Sequence, residues 1–314
     1  MDRIVEVDPG LVVVGPTAVG KSGVAMALAG HLNGEILSID SMQVYRGLDI
    51  GTDKPSSVAR ERVPHHLVDV VSLNENFDAA RFVRHAEESV GAIRARGHQP
   101  VSCGGTGFYL KAWVEGLGSL PPADPELRMS LEQTPLAELL EELKVQDPET
   151  YERLDRNNPR RVIRAVEVLR LTGEPASAKR AAWQGVSESR PPRPGFYGMI
   201  RPTETLDRRI EARVDSMFAR GLVEETRSLL DAGLRDNATA CQAIGYRQAI
   251  EHLKGIRSLA ETVDLVKRRT RQFARRQLTW FRRQIPLTWI EVADGETEEA
   301  VAGRILADWK RHLG

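Results

Sequence analysis

A chain of 314 residues is long enough for two domains with a substantial core. Lys+Arg and Asp+Glu both total 44, so the formal net charge is zero. That excludes nucleic-acid binding by bulk charge alone and leaves room for a local basic face. Two cysteines, Cys103 and Cys241, can neither build a disulfide framework nor supply four thiolates to zinc, and they fit a reducing compartment. Charged residues precede any apolar run at the start, and no apolar stretch approaches the ~20 residues of a membrane span. The expectation is a cytoplasmic protein that does not enter the membrane.

Leu11–Val14 is a short apolar run that ends at Gly15 and predicts a buried strand. Lys21 to Leu32 follows as a helix with Ala25, Leu28, Ala29 and Leu32 on one face. Glu35–Ile39 predicts a second strand ending at Asp40, and His66–Val71 a third. Asp78 is placed to cap a helix whose apolar positions Phe82, Val83, Ala86, Val90 and Ile93 keep the 3.6-residue period. Pro100–Cys103 predicts a strand that runs into Gly104 and Gly105. This alternation indicates an α/β fold with a doubly wound parallel sheet.

After Gly116 the composition changes. Between Asp124 and Asp155 there are ten acidic residues against three basic ones. Short helices are expected there, with Thr134-Pro135 and Asn158-Pro159 as caps and Gly173 as a stop. The proline-containing stretch Gln184–Gly195 predicts a loop. Phe196–Ile200 then predicts one more core strand, and Thr203 starts a helix that Gly221 stops. Ser258–Glu261 is a capping box opening a long helix that Pro286 ends. The expected organisation is a phosphate-loop core, 1–116 with 196–314, interrupted by an all-helical insertion, 117–195.

Gly15, Pro16, Thr17, Ala18, Val19, Gly20, Lys21 and Ser22 match G-x-x-x-x-G-K-[ST], after a strand and at the start of a helix. Such a loop turns backbone N–H groups toward a polyphosphate, Lys21 adds a mobile charge and Ser22 can ligate Mg²⁺. Asp40, at the next strand end, should face this loop as a general base, a water-mediated metal ligand or a turn cap. Gly104–Gly107 ends another strand at the same edge, its glycines permitting close approach of a ligand and Thr106 offering a hydroxyl.

Adjacent residues on a strand point to opposite faces, so His65 and His66 are read as structural rather than as metal ligands. Lys267 to Arg283 carries eight basic residues, no acid, and Phe273, Trp280 and Phe281 among them. A helix of that kind suits a phosphate backbone. Arg160, Arg161 and Arg164 form a second basic cluster. Arg209 and Arg213, four apart, could reach a common anion or pair with Asp207 or Glu211.

In order, GPTAVGKS, DSMQVYRGLDIGTDKP, PHHLVDV, GGTGFYLKA, NPRRVIRAVEV, RRIEARVDSM, AIGYRQ and TRQFARRQLTWFR closely resemble the tRNA dimethylallyltransferases (tRNA isopentenyltransferases). The resemblance runs from about Val12 to Arg282. Its departures are Val19, Ser22 and Asp53, where Ser, Thr and Ala are common. No C-terminal zinc finger of the eukaryotic type is present, which makes the resemblance bacterial in type. It implies transfer of a dimethylallyl group from dimethylallyl diphosphate to N6 of adenosine 37, in the anticodon stem-loop of tRNA. By the resemblance, Lys21, Asp40, Thr106 and Arg213 are catalytic, the loop 15–22 holds diphosphate with Mg²⁺ at Ser22, and the enzyme is a monomer. Asp40, Ser41, Met42, Gln43, Thr106, Arg128, Arg160, Arg161, Val162, Ile163 and Arg164 contact the tRNA, and Arg275 and Arg276 hold its backbone. A small-molecule kinase using ATP accounts for Lys21 and Asp40 but not for the basic aromatic helix or the Arg-rich insertion. A nucleotide switch without chemistry ranks below both.

Overall fold

The structure is a computed structural model that describes residues 8–118, 120–179 and 191–313. The chain forms two compact units, Met1–Val114 with Gly185–Gly314, and Glu115–Gln184. The first unit is built on six strands: β1 (Leu11–Val14), β2 (Gly34–Ile39), β3 (His65–His66), β4 (Gln99–Gly104), β5 (Phe196–Ile200) and β6 (Thr288–Glu291). All pairs are parallel, in the order β3-β2-β4-β1-β5-β6. The chain leaves β1, skips the slot that β4 later fills, and builds β2; after β4 it crosses to the other side of β1. A crevice opens at such a switch, beyond the carboxyl ends of the strands. Val14 and Ile39 both pair with Gly104, so the ends of β1, β2 and β4 are level there.

The strands are short and apolar because both faces are covered. Leu11, Val13, Val101, Tyr197 and Met199 share a core with the helix Lys21–Leu32, which buries Val24, Ala25, Leu28 and Ala29. Full burial of one such leucine is worth about 1.5–3 kcal/mol. A Cβ on Gly23 would stand 2.5 Å from Cγ of Glu298, so glycine there lets the C-terminal helix Glu298–Leu313 approach.

The third strand differs from expectation. Only His65 and His66 pair with β2, and Val71 makes a single bridge to Tyr45. Leu67 and Asp69 take positive φ (62° and 57°), which breaks the extended backbone although Leu67 and Val71 are buried. Asp69 is held in that turn by Lys54 and Arg60 at 2.6 and 2.7 Å. Asp78 caps the helix Ala79–Ala95 by accepting the Arg81 N–H, as its position suggested. Gly221 ends one helix region by starting another, Leu222–Asp231, with φ 96°.

In the second unit, helices Pro125–Gln133, Leu136–Gln146, Pro148–Arg153 and Pro159–Thr172 surround Leu131, Leu139, Leu143, Val162, Ala165 and Val166. Asn158 caps the last of these with Pro159 behind it, and Gly173 stops it at φ 68°. Thr134 does not cap a helix start. It ends Pro125–Gln133, its hydroxyl turned back to the Ser130 carbonyl, and Pro135 takes the next N-cap position. Of the expected loop Gln184–Gly195, residues 184–190 lie outside the described residues. Gly195 accepts the Val12 N–H at 2.8 Å, so the end of that stretch already belongs to the sheet.

Candidate active site

The phosphate loop begins where β1 runs out. Gly15 sits at φ 149°, and a Cβ there would lie 2.6 Å from the Met199 carbonyl oxygen, so glycine seats the loop against β5. Gly20 adopts φ 107° as the N-cap of the helix that follows. Three arginines brace the outer rim of the loop. Arg201 Nε donates to the Val19 carbonyl at 2.9 Å, Arg209 Nε to the Ala18 carbonyl at 2.8 Å, and Arg213 Nη1 to Thr17 Oγ1 at 3.1 Å. Arg209 and Arg213 thus converge on the loop itself. Asp207 and Glu211, their expected alternative partners, pair elsewhere.

Lys21 donates from Nζ to the Pro16 carbonyl at 2.7 Å. Burial pushes its pKa down to about 8, with Arg213 pushing the same way and Cys103 and Asp40 opposing. The buried Cys103 thiol is itself pushed up to about 11, mainly by desolvation. A lysine whose charge is this poorly solvated gains from a polyanion, which favours the protonated form.

Asp40 accepts from the Met42 and Gln43 N–H groups at 2.8 and 3.2 Å, both on Oδ1. It therefore is a turn cap, and its second oxygen is left for another partner. The Ser41 N–H donates to Thr106 Oγ1 at 3.1 Å, which ties the end of β2 to the loop after β4. Lys21, Ser22, Asp40, Gln43 and Arg213 line one cavity of about 340 Å³, together with Met26, His65, Cys103 and Phe273. A larger hollow of about 700 Å³ lies between the helices Thr203–Ala219 and Leu259–Gln284, lined by residues such as Glu211, Lys267 and Arg271. It holds none of the loop residues, and its Arg271 is already paired with Glu211.

The glycines of the Gly104–Gly107 loop are each required by close protein neighbours. A Cβ on Gly104 would lie 2.1 Å from the Ile39 carbonyl oxygen, on Gly105 2.4 Å from Gln277 Nε2, and on Gly107 2.2 Å from the Trp280 ring. Protein atoms thus require glycine at all three positions, while Gly104 and Gly105 also line the cavity that holds Lys21 and Asp40. Two of these neighbours, Gln277 and Trp280, come from the basic helix Leu259–Gln284, which its Ser258–Glu261 capping box opens as expected.

That helix is less freely basic than its composition suggests. Lys267 pairs with Asp215 at 2.7 Å, Arg271 with Glu211 at 2.5 Å, and Arg275 with Asp207 at 3.7 Å, a ladder of four-residue steps on two helices. Arg276 stacks over Phe273, and among the described residues Arg268, Arg269, Arg276 and Arg283 have no carboxylate partner. In the second unit, Arg128 and Arg164 both bind Glu167, a fully buried carboxylate, at 2.7 Å. Val162 is 0% exposed and belongs to the core, so its side chain is unavailable to RNA. Ile163 packs on the same core, and Arg160 and Arg161 lie on the first turn of Pro159–Thr172.

The adjacent histidines engage different partners, His65 Nδ1 the Val63 carbonyl at 2.7 Å and His66 Nε2 the Glu35 carboxylate at 2.6 Å. Among the described residues no group of three or more His, Cys, Asp or Glu side chains could hold a metal ion. Ser22 and Asp40 bring two oxygen donors to one cavity. That is a fitting set for Mg²⁺, which takes one or two protein ligands and leaves the rest to phosphate and water. Asp53, at φ 51°, stands 3.5 Å from Arg213 and 3.8 Å from Arg220. The segment carrying it is clamped: Ile50 N–H donates to Glu225, and Tyr246 Oη accepts the Gly51 N–H while donating to Glu225 at 2.5 Å. This is the structural work of the AIGYRQ stretch.

A parallel sheet of this order, with a phosphate loop at the switch and a carboxylate at the next strand end, defines a phosphate-loop α/β enzyme. The IPP transferase family model matches residues 43–284. A tRNA dimethylallyltransferase of Geobacter metallireducens is 46% identical over 285 residues, covering 90% of this chain and 92% of that one. The tRNA isopentenylpyrophosphate transferase of Bacillus halodurans, a solved structure, superposes with a TM-score of 0.67 at 37% identity, over 96% and 98% of the two chains. A eukaryotic dimethylallyltransferase solved acting on tRNA gives 0.76 at 26% identity, over 96% of this chain and 78% of that one. The chain belongs to the IPP transferase family. Among the described residues no helix is long and apolar enough to cross a membrane.

Proposed function

We propose that this protein transfers a dimethylallyl group from dimethylallyl diphosphate to N6 of adenosine 37 in tRNA and releases diphosphate. The observation that carries this reading is one cavity holding both a phosphate loop with Lys21 and Arg213 and, at the next strand end, a carboxylate with a spare oxygen. Breaking the allylic C–O bond leaves positive charge on the dimethylallyl carbon and sends the electron pair to the departing diphosphate. Lys21, Arg213 and the loop amides meet that developing negative charge, and fixed donors of this kind are worth most in a desolvated site. Ser22, directly or with Asp40 through water, would hold Mg²⁺, which would neutralise further charge on the diphosphate.

An exocyclic adenine amine is a weak nucleophile because its lone pair is delocalised into the ring. As its N–C bond forms, the excess proton passes to Asp40, whose Oδ1 is fixed by two amides and whose Oδ2 takes the proton. Thr106 holds the Ser41 turn beside it. The base must leave its stack to reach such a cavity. Asp40 to Gln43 and Thr106 then meet the acceptor nucleotide, Arg275 and Arg276 meet backbone phosphates, and Arg160, Arg161 and Arg164 of the helical unit contact the anticodon arm. The monomeric state is part of the same proposal, and a tRNA substrate supports work in the cytoplasm.

Incubation with labelled dimethylallyl diphosphate and, in parallel, labelled ATP, each with and without tRNA, tests the reading. The expected result is label from the prenyl donor in tRNA, lost when adenosine 37 is replaced. Phosphate transfer from ATP to a small molecule, with no prenyl label in tRNA, contradicts it.

A further inference from the structure

The basic helix does more at the site than present charge. Gln277 lies on it, is 8% exposed, and points away from solvent into the strand-end loops. Its Oε1 accepts the Thr17 N–H at 2.8 Å, and its Nε2 donates to the Gly105 carbonyl at 2.9 Å. One carboxamide thereby bridges the phosphate loop after β1 and the loop after β4. Both contacts are made from a residue 260 and 172 positions away in sequence. Thr17 also receives Arg213 on its hydroxyl, and the β4 loop carries Thr106, which holds the Ser41 turn next to Asp40. The Thr17 amide, committed to Gln277, is not one of the donors offered to a diphosphate.

We propose that Gln277 is a positioning residue for the transfer reaction. It fixes the separation between the leaving-group half of the site (Thr17, Lys21, Arg213) and the acceptor half (Asp40, Ser41, Thr106). The proposal rests on the prenyl-transfer reading above. It follows from the two hydrogen bonds and from Gly105, where any Cβ would collide with the Gln277 carboxamide at 2.4 Å. Misplacing reacting groups by about 1 Å can cost ~10²-fold in rate, and both polar groups of the Gln277 carboxamide are already engaged by protein atoms although the residue lines the cavity.

Gln277→Met keeps the volume and removes both hydrogen bonds. Single-turnover and steady-state transfer to tRNA should show kcat reduced at least ~10-fold, with both KM values within about threefold of wild type. Amide hydrogen exchange in residues 15–20 should speed up, a readout independent of turnover. Gly105→Ala approaches the same latch from the other side, since Gly105 lies outside the left-handed region and the new methyl meets chiefly the carboxamide. Its cost should shrink in a Gln277→Ala background, a non-additivity diagnostic of one shared contact. Should Gln277→Met fail to fold, the Gly105→Ala cycle carries the test alone. Wild-type kcat in a folded Gln277→Met protein, a change confined to KM, or strictly additive Gly105 and Gln277 effects each overturn the proposal. Absence of transfer by the wild type overturns the functional reading instead, and the exchange measurement still reports whether the latch exists.

Discussion

Strand β2 carries a carboxylate near each end, and the two are treated in opposite ways. Glu35, near its amino end, is 2% exposed and saturated: Arg96 binds both oxygens at 2.9 and 2.7 Å, and His66 and His98 each add a contact at 2.6 Å. The Arg96 hydrogen bond, with the histidines assisting against desolvation, pulls its pKa down to about 2. Asp40, just past the carboxyl end, has two amides on one oxygen and opens on the cavity that holds Lys21 and Arg213. A carboxylate with every lone pair engaged can only hold the fold together. One that is oriented but incompletely engaged retains capacity for a proton or a metal-bound water. The same strand therefore separates stabilising from chemical use of one functional group.

The largest expected effect tests the chemical end. Asp40→Asn preserves an Oδ1 for the Met42 and Gln43 amides and removes the base, so turnover should fall by roughly 10²–10⁴ at saturating Mg²⁺ and diphosphate substrate. Loss of diphosphate affinity at an unchanged saturated rate would instead make Asp40 a binding residue.

Next comes the leaving-group side. Lys21→Ala should cost at least ~10²-fold in kcat, the scale for removing a donor to a developing anion, and Arg213→Ala should act in the same direction. Because burial holds the Lys21 pKa at about 8, the free enzyme loses this charge as pH rises through that value. A plot of kcat/KM for the prenyl donor should fall above pH 8, and Lys21→Arg should move that limb upward. An unmoved limb assigns the titration to another group.

The structural end should answer in stability and not in rate. Glu35 is depressed, so its contribution is present above the unfolded value of 4.5 and disappears as pH falls through about 2. Glu35→Gln should cost about 2–3 kcal/mol at neutral pH, seen as a lower Tm. The wild-type and variant melting curves should approach each other between pH 4.5 and 2. The smallest effects belong to the basic helix. Arg276→Ala should reduce the log–log salt slope of tRNA binding by just under one unit, and Arg275→Ala, which shares its charge with Asp207, by less.

Legibility in the sequence followed the distance over which each contact is made. The phosphate loop is local in sequence, and its spacing, strand and helix were all readable. Asp40 was placed by the rule for parallel sheets, though its turn-capping bonds became visible only in the fold. The His66–Val71 run is not a continuous strand, and its apolar pattern does not report the left-handed turns at Leu67 and Asp69. The packing demand on Gly105 and Gly107 is invisible in the sequence because their neighbours, Gln277 and Trp280, lie about half the chain away. The acidic ladder of Asp207, Glu211 and Asp215 did carry a signal. Its four-residue spacing matches Lys267, Arg271 and Arg275, but only packing identifies the two helices as partners. Val162 was included with its basic neighbours as a motif, although its place on the helix sends it inward.

Of the two β2 carboxylates, Asp40 alone is placed to do chemistry. The most direct test is the single-turnover rate of dimethylallyl transfer to tRNA, at saturating concentrations of both substrates, for folded Asp40→Asn and Glu35→Gln proteins side by side. The account predicts a loss of roughly 10²–10⁴ for Asp40→Asn and a rate within about threefold of wild type for Glu35→Gln. Equal losses in the two proteins, or a wild-type rate in Asp40→Asn, would contradict it.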